Sequence, residues 1–209
     1  MDERKPRRPA LLGKAALESL GGAPDPAALA EAAHATATLL VESGRATSDE
    51  AARSRLVALV DEVGLDTVAD LWAQRPPRSL PGALWRLYVL REWVRRDAVG
   101  AARDFASGRD SAPVSHVVAG AAEPPTPEAL RVLLDAVLHG VFAGDFAVAL
   151  ERAGAFCRVV VAGRVNRADD VEADDPTGAL ELTRSSSSLL RTAEDLEAAA
   201  SLWRAENLV

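Results

Sequence analysis

Isoleucine is absent from this chain of 209 residues, and aromatic residues are only 4% of it, with four Trp, four Phe and a single Tyr. The β-branched and aromatic side chains that furnish pleated sheets are thus represented mainly by Val. Ala and Leu, the strongest apolar helix formers, dominate the 48% apolar share, which predicts an all-α fold. One Cys, Cys157, excludes an internal disulfide and a multi-Cys metal site, and fits a reducing compartment. Lys occurs only at Lys5 and Lys14, so cationic charge is almost all Arg; with the missing isoleucine, this reads as the codon composition of a GC-rich bacterial genome.

No apolar run reaches the roughly 18 residues of a membrane span. The basic start, Met1 to Pro9, leads into no secretory h-region, because Lys14 and Glu18 interrupt the apolar residues and Gly21-Gly22 ends them. The expected location is cytoplasmic. A net charge of −7 disfavours general adhesion to nucleic acid or anionic membrane.

What the chain does have is a series of helix starts and stops. Residues 1–9 read as a flexible basic arm, because Pro6 and Pro9 block a helix. Ala10 to Leu20 reads as a first helix closed by Gly21-Gly22. Asp25-Pro26, Ser48-Asp49, Ser79 with Pro81, Thr126-Pro127-Glu128 and Asp145 each pair an N-cap side chain with a favourable first turn. The expected fold is a multi-helix bundle of about eight helices, with a division into two sub-bundles hinged near residues 107–125 left open. Residues 10–164 form the bundle domain in this reading. Residues 165–187, with Asp169 to Pro176 and Ser185 to Ser188, read as an acidic, Ser-rich linker. Residues 188–209 read as an amphipathic C-terminal helix that docks back through Trp203. A short segment at 114–119 fits a strand or a turn of helix equally.

The centre of the chain is Leu80 to Arg96, which holds the only Tyr and two of the four Trp. At about 100° per residue, Leu80, Ala83, Leu84, Leu87, Tyr88, Leu90 and Val94 fill one broad arc, while Trp85, Val89 and Trp93, spaced by four, fill much of the opposite side. A helix apolar on two sides is flanked by other helices or by a partner. Arg91 projects from within the broad arc. A buried guanidinium needs a carboxylate or carbonyl, so Arg91 is either pinned by one or faces a pocket.

Candidate chemistry is sparse. His116, His139 and Cys157 stand in no metal-ligand or nucleophile–base spacing, Cys157 fits an apolar seam, and His139 suits a helix C-terminus. The sequence assigns no catalytic residue, no metal ligand and no cofactor. A helix–turn–helix reading of the helices expected over residues 48–63 and 66–74 places Asp61, Glu62, Asp66 and Asp70 where phosphates would lie, which is the wrong sign. The surface constellation that remains is Arg86, Arg91, Trp93, Arg95 and Arg96, with Arg75, Arg78 and Arg103 around it. Guanidinium beside indole suits an acidic peptide, a phosphate or a stacked base. Pairing of these arginines with Asp66, Asp70, Glu92 and the acidic stretch competes with that role. The expected function is a non-enzymatic helical interaction or regulatory module whose partner is another protein or a second copy. Alternatives are a nucleic-acid-associated regulator using the Arg-rich helix, and an enzyme with His139 or His116 as general base between helices.

Overall fold

The computed structural model describes residues 25–123 and 125–209, and among them there are helices and no strands. The ten helices are α1 (Pro26–Ala46), α2 (Glu50–Val57), α3 (Leu59–Val63), α4 (Leu65–Trp72), α5 (Leu80–Arg96), α6 (Ala98–Gly108), α7 (Pro113–Ala119), α8 (Pro127–Ala143), α9 (Phe146–Val171) and α10 (Pro176–Arg204). The arm expected over residues 1–9 and the helix expected over 10–20 lie outside the described residues.

The starts read from the sequence are made by the expected caps. Asp25 accepts from Ala27 N at 3.0 Å, Thr126 from Ala129 N at 3.1 Å, and Asp145 from Ala147 N at 2.8 Å and Val148 N at 3.2 Å. Each satisfies amide donors that the first helical turn would otherwise leave orphaned.

Two stretches depart from expectation, and a third decides a reading left open. The helix read across residues 48–63 breaks at Ala58 into α2 and α3; the Tyr88 hydroxyl donates to the Leu56 carbonyl there at 2.6 Å. Residues 114–119 are helical, in α7. The linker read over 165–187 is mostly helix: α9 continues to Val171, and Asp175-Pro176 caps and opens α10, leaving only residues 172–175 between them. Acidity and serine misled that reading. Ser186 and Ser187 turn their hydroxyls onto the carbonyls of Leu182 and Thr183, so the serines sit inside a helix without leaving donors unpaired.

α9 is the spine. α10 lies along it, stitched by Arg158 to Glu197 through two hydrogen bonds of 2.5 and 2.7 Å and by Arg204 to Glu151. α6 crosses its other side, and α8 packs on α9, α6 and α5. Buried apolar residues from all ten helices join in one cluster. Phe156 on α9 anchors it, with Phe105 stacked at 5.6 Å between centroids and Trp93 at 6.3 Å. Trp203 meets Phe146 edge-on at 4.7 Å, fixing the end of α10 on the start of α9.

Cys157 lies in this core with no exposed surface, and burial pushes its thiol up to about 12. A buried, protonated thiol is neither accessible nor nucleophilic. A disulfide reagent at neutral pH should therefore leave the native protein unmodified and titrate the thiol completely in concentrated guanidinium chloride. Reaction in the native state at the rate of a free thiol would show the core to be open.

Candidate functional site

The two apolar sides of α5 have different fates. The broad arc is buried against the bundle, with Leu84, Leu87, Tyr88 and Val94 at 0–1% exposure. The opposite side, Trp85, Val89 and Trp93, is only partly covered and forms the wall of a groove. α10 supplies the facing wall through Ser185, Ser188, Leu189 and Thr192, and Arg164 of α9 reaches in from below. The cavity is about 430 Å³.

Two cations belong to it. Arg86 is anchored by Nη1 donating to the Gly82 carbonyl at 3.0 Å and by Nη2 at 3.3 Å from Asp195 on α10. Burial lowers the affinity of Arg86 for its proton and Asp195 works against that, yet a guanidinium stays charged through such a shift. Arg164 stacks over the Trp93 ring at 5.0 Å and donates through Nε to Asp104 at 2.9 Å. Asp104 is 4% exposed on α6 and also takes Arg167. It sits behind Arg164, so the groove lining contains two arginines and no carboxylate.

Of the five residues singled out by sequence, the structure brings Arg86 and Trp93 together here. It places the others elsewhere. Arg91 is pinned: it is 5% exposed, with Nε 2.6 Å from Asp135 on α8 and Nη2 3.2 Å from Asp61 on α3. Desolvation opposes its charge, but the hydrogen bonds it donates to Asp135 and Asp61 outweigh that and raise its proton affinity. Arg95 shares Asp61, and Arg96 is an exposed i,i+4 partner of Glu92 at 2.6 Å. Arg91, Arg95 and Arg96 line no part of the groove. The partners expected from sequence are therefore right only for Glu92, and Asp61 holds two arginines.

The groove residues that sequence reasoning missed are Arg164, Ser185, Ser188 and Thr192. Arg164 had a signal. The seam Leu150, Ala153, Cys157, Val160 continues at the same alternating three and four to Arg164, an arginine inside an apolar stripe just like Arg91.

The histidines lie apart from the groove. His139 Nδ1 is 3.4 Å from Glu50 on the rim of a shallow cavity of about 440 Å³ that also contains Arg91, Asp135 and Ser54. His116 packs against Phe105 at 5.7 Å, and its Nε2 comes within 2.7 Å of Glu123 Oε1 without the alignment of a hydrogen bond. Among the described residues no hydrogen bond joins a histidine to a Ser, Thr or Cys, and no cluster of His, Cys, Asp and Glu is spaced to hold a metal ion. No protein-family model matches the chain, and neither a curated protein nor a solved structure does. Among the described residues, no helix is long and apolar enough to cross a membrane.

Proposed function

We propose that this protein is a non-enzymatic helical interaction module and that the groove between α5 and α10 receives a segment of another protein. The observation that carries the reading is the outer face of α5. Trp85 and Trp93, partly buried against the core, and the exposed Val89 between them are spaced by four and line a ready cavity. Partly buried aromatic residues at a cavity rim are where binding energy concentrates. The four consecutive serines support the same reading. Where α10 faces Trp85 and Trp93, small hydroxylated side chains keep the cavity open, whereas Leu or Phe at Ser185 and Ser188 would fill it and complete an ordinary helix–helix contact.

The measurement is affinity capture from the source cell with two baits, the native chain and a Ser188→Trp variant whose indole occupies the cavity. The expected result is a partner retained by the native bait and depleted about tenfold or more on the variant, as for loss of a central contact. Identical capture by a folded variant would remove the groove from the function.

A further inference from the structure

We infer that the segment taken by the groove is an acidic amphipathic helix, its apolar stripe laid on Trp85, Val89 and Trp93 and its carboxylates directed to Arg86 and Arg164. This rests on the groove being a receptor for a protein segment and adds which chemistry that segment must carry.

Shape comes first. The wall on α5 repeats every four residues, and Trp85 to Trp93 spans about 12 Å, two helical turns at ~1.5 Å per residue. The wall on α10 repeats at Ser185, Ser188 and Thr192, the three-and-four spacing of a helix face. Two such ridges side by side leave a trough into which a third helix fits its own ridge, with apolar side chains at i, i+4 and i+7. Small side chains along one wall let that helix approach closely.

Charge then selects among helices. The protein carries a net −7, yet the groove lining has two guanidinium groups and no carboxylate. Asp104, which holds Arg164, is set back with its side chain 6% exposed, while Asp195 beside Arg86 is 17% exposed but lines no part of the groove. A guanidinium held on one edge by a carboxylate keeps its other donors in a fixed position, ready for a second acceptor. Carboxylates flanking an apolar stripe meet both cations; lysines there would be repelled. A nucleic acid fits less well. Its phosphates would run on into the adjoining cavity, where Asp97, Asp104, Asp175 and Glu181 offset the lining arginines Arg103, Arg164 and Arg167.

The probe is a pair of fluorescein-labelled helical peptides of about 15 residues, identical in a Leu/Ala stripe and carrying Glu or Lys on the flanks. Each is titrated with the full chain by anisotropy, with the protein's own tryptophan emission as second signal. The Glu peptide should bind about tenfold or more tightly than the Lys peptide, and added salt should shrink that preference. Ser188→Trp should abolish binding, with Thr192→Trp as a second blocking variant and circular dichroism confirming that the one used is folded. Arg86→Gln should cut the Glu preference by about threefold, the size of one partly exposed pair. Equal or tighter binding of the Lys peptide, binding of neither, or Glu binding that survives both blocking variants overturns the inference. Partner capture that depends on Ser188 while the peptides show no charge preference leaves the receptor groove standing and removes only its acidic ligand. Capture insensitive to Ser188→Trp removes the receptor groove itself.

Discussion

Replacing Gly163 with Ala should destabilise the protein by about 3 kcal/mol, although the same substitution inside an unhindered helix would stabilise it by about 1 kcal/mol. α6 and α9 cross backbone to backbone at Gly108 and Gly163. A methyl group at Gly163 would land on the Asp104 carbonyl, and one at Gly108 on the Val159 carbonyl, in each case far inside contact distance. Neither obstacle is a flexible side chain, so the helices themselves must separate. Separation loosens Phe105, which is stacked on Phe156, and draws Asp104 away from Arg164. Gly140 is the matched control. A methyl there meets only Ala149 Cβ at 3.6 Å, ordinary contact, so Gly140→Ala should raise stability by about 0.5–1 kcal/mol. Urea denaturation of the two variants should therefore move the midpoint in opposite directions. A stabilised Gly163→Ala protein would show that α6 and α9 do not cross this closely. Because the crossing also holds Asp104 behind Arg164, whatever fold Gly163→Ala retains should show altered Trp93 fluorescence, an effect that Gly140→Ala lacks.

The crossing illustrates which parts of this molecule are legible in its sequence. Helix class and the caps at Asp25, Asp49, Thr126 and Asp145 follow from local rules, because a cap acts within three residues of its own position. The buried arc of α5 and the seam of α9 follow from periodicity. Close approach does not, since Gly108 and Gly163 look like any two helix-end glycines until α6 is laid on α9. The misread linker has the same origin. Exposed acids and serines describe a solvated surface equally well in a loop or on the outer face of a helix, and what decides for helix is the buried row Ala179, Ser186, Ala193 and Leu196 against α9. Half of the groove was therefore legible. Trp85, Val89, Trp93 and Arg86 share one segment, whereas Arg164 and the α10 hydroxyls reach them only through tertiary packing. Arg91 was legible as a problem, a charge in an apolar arc, but its solution came from α3 and α8, 30 and 44 residues away in sequence.

That solution makes the Arg91 network asymmetric, and removing the acids should cost more than removing the arginine. With Asp61→Ala and Asp135→Ala combined, the Arg91 guanidinium stays in place with its side chain 6% exposed and no counter-charge, a loss of about 3 kcal/mol. Arg91→Leu leaves two aspartates whose side chains are 34% and 48% exposed. Water can solvate both, Arg95 still pairs with Asp61, and the leucine adds to an apolar surface, so its cost should be about 1 kcal/mol or less. The order of the two effects is the test, read from denaturation curves of both variants at neutral pH. Equal losses would mean that Arg91 reaches water by a route absent from this packing. Acid should identify the carboxylate responsible. Burial works to raise the Asp61 pKa, but hydrogen bonds from Arg95 and Arg91 outweigh it and hold that pKa below the ordinary aspartate value. A depressed folded-state pKa gives stability that is fully present above the unfolded value, about pH 4, and is lost as pH falls through the folded one. The stability gap between the native chain and the double variant should thus be flat from neutral pH down to about pH 5 and narrow below pH 4. A gap that instead widened in acid would reverse the sign of the linkage and take Asp61 out of the network.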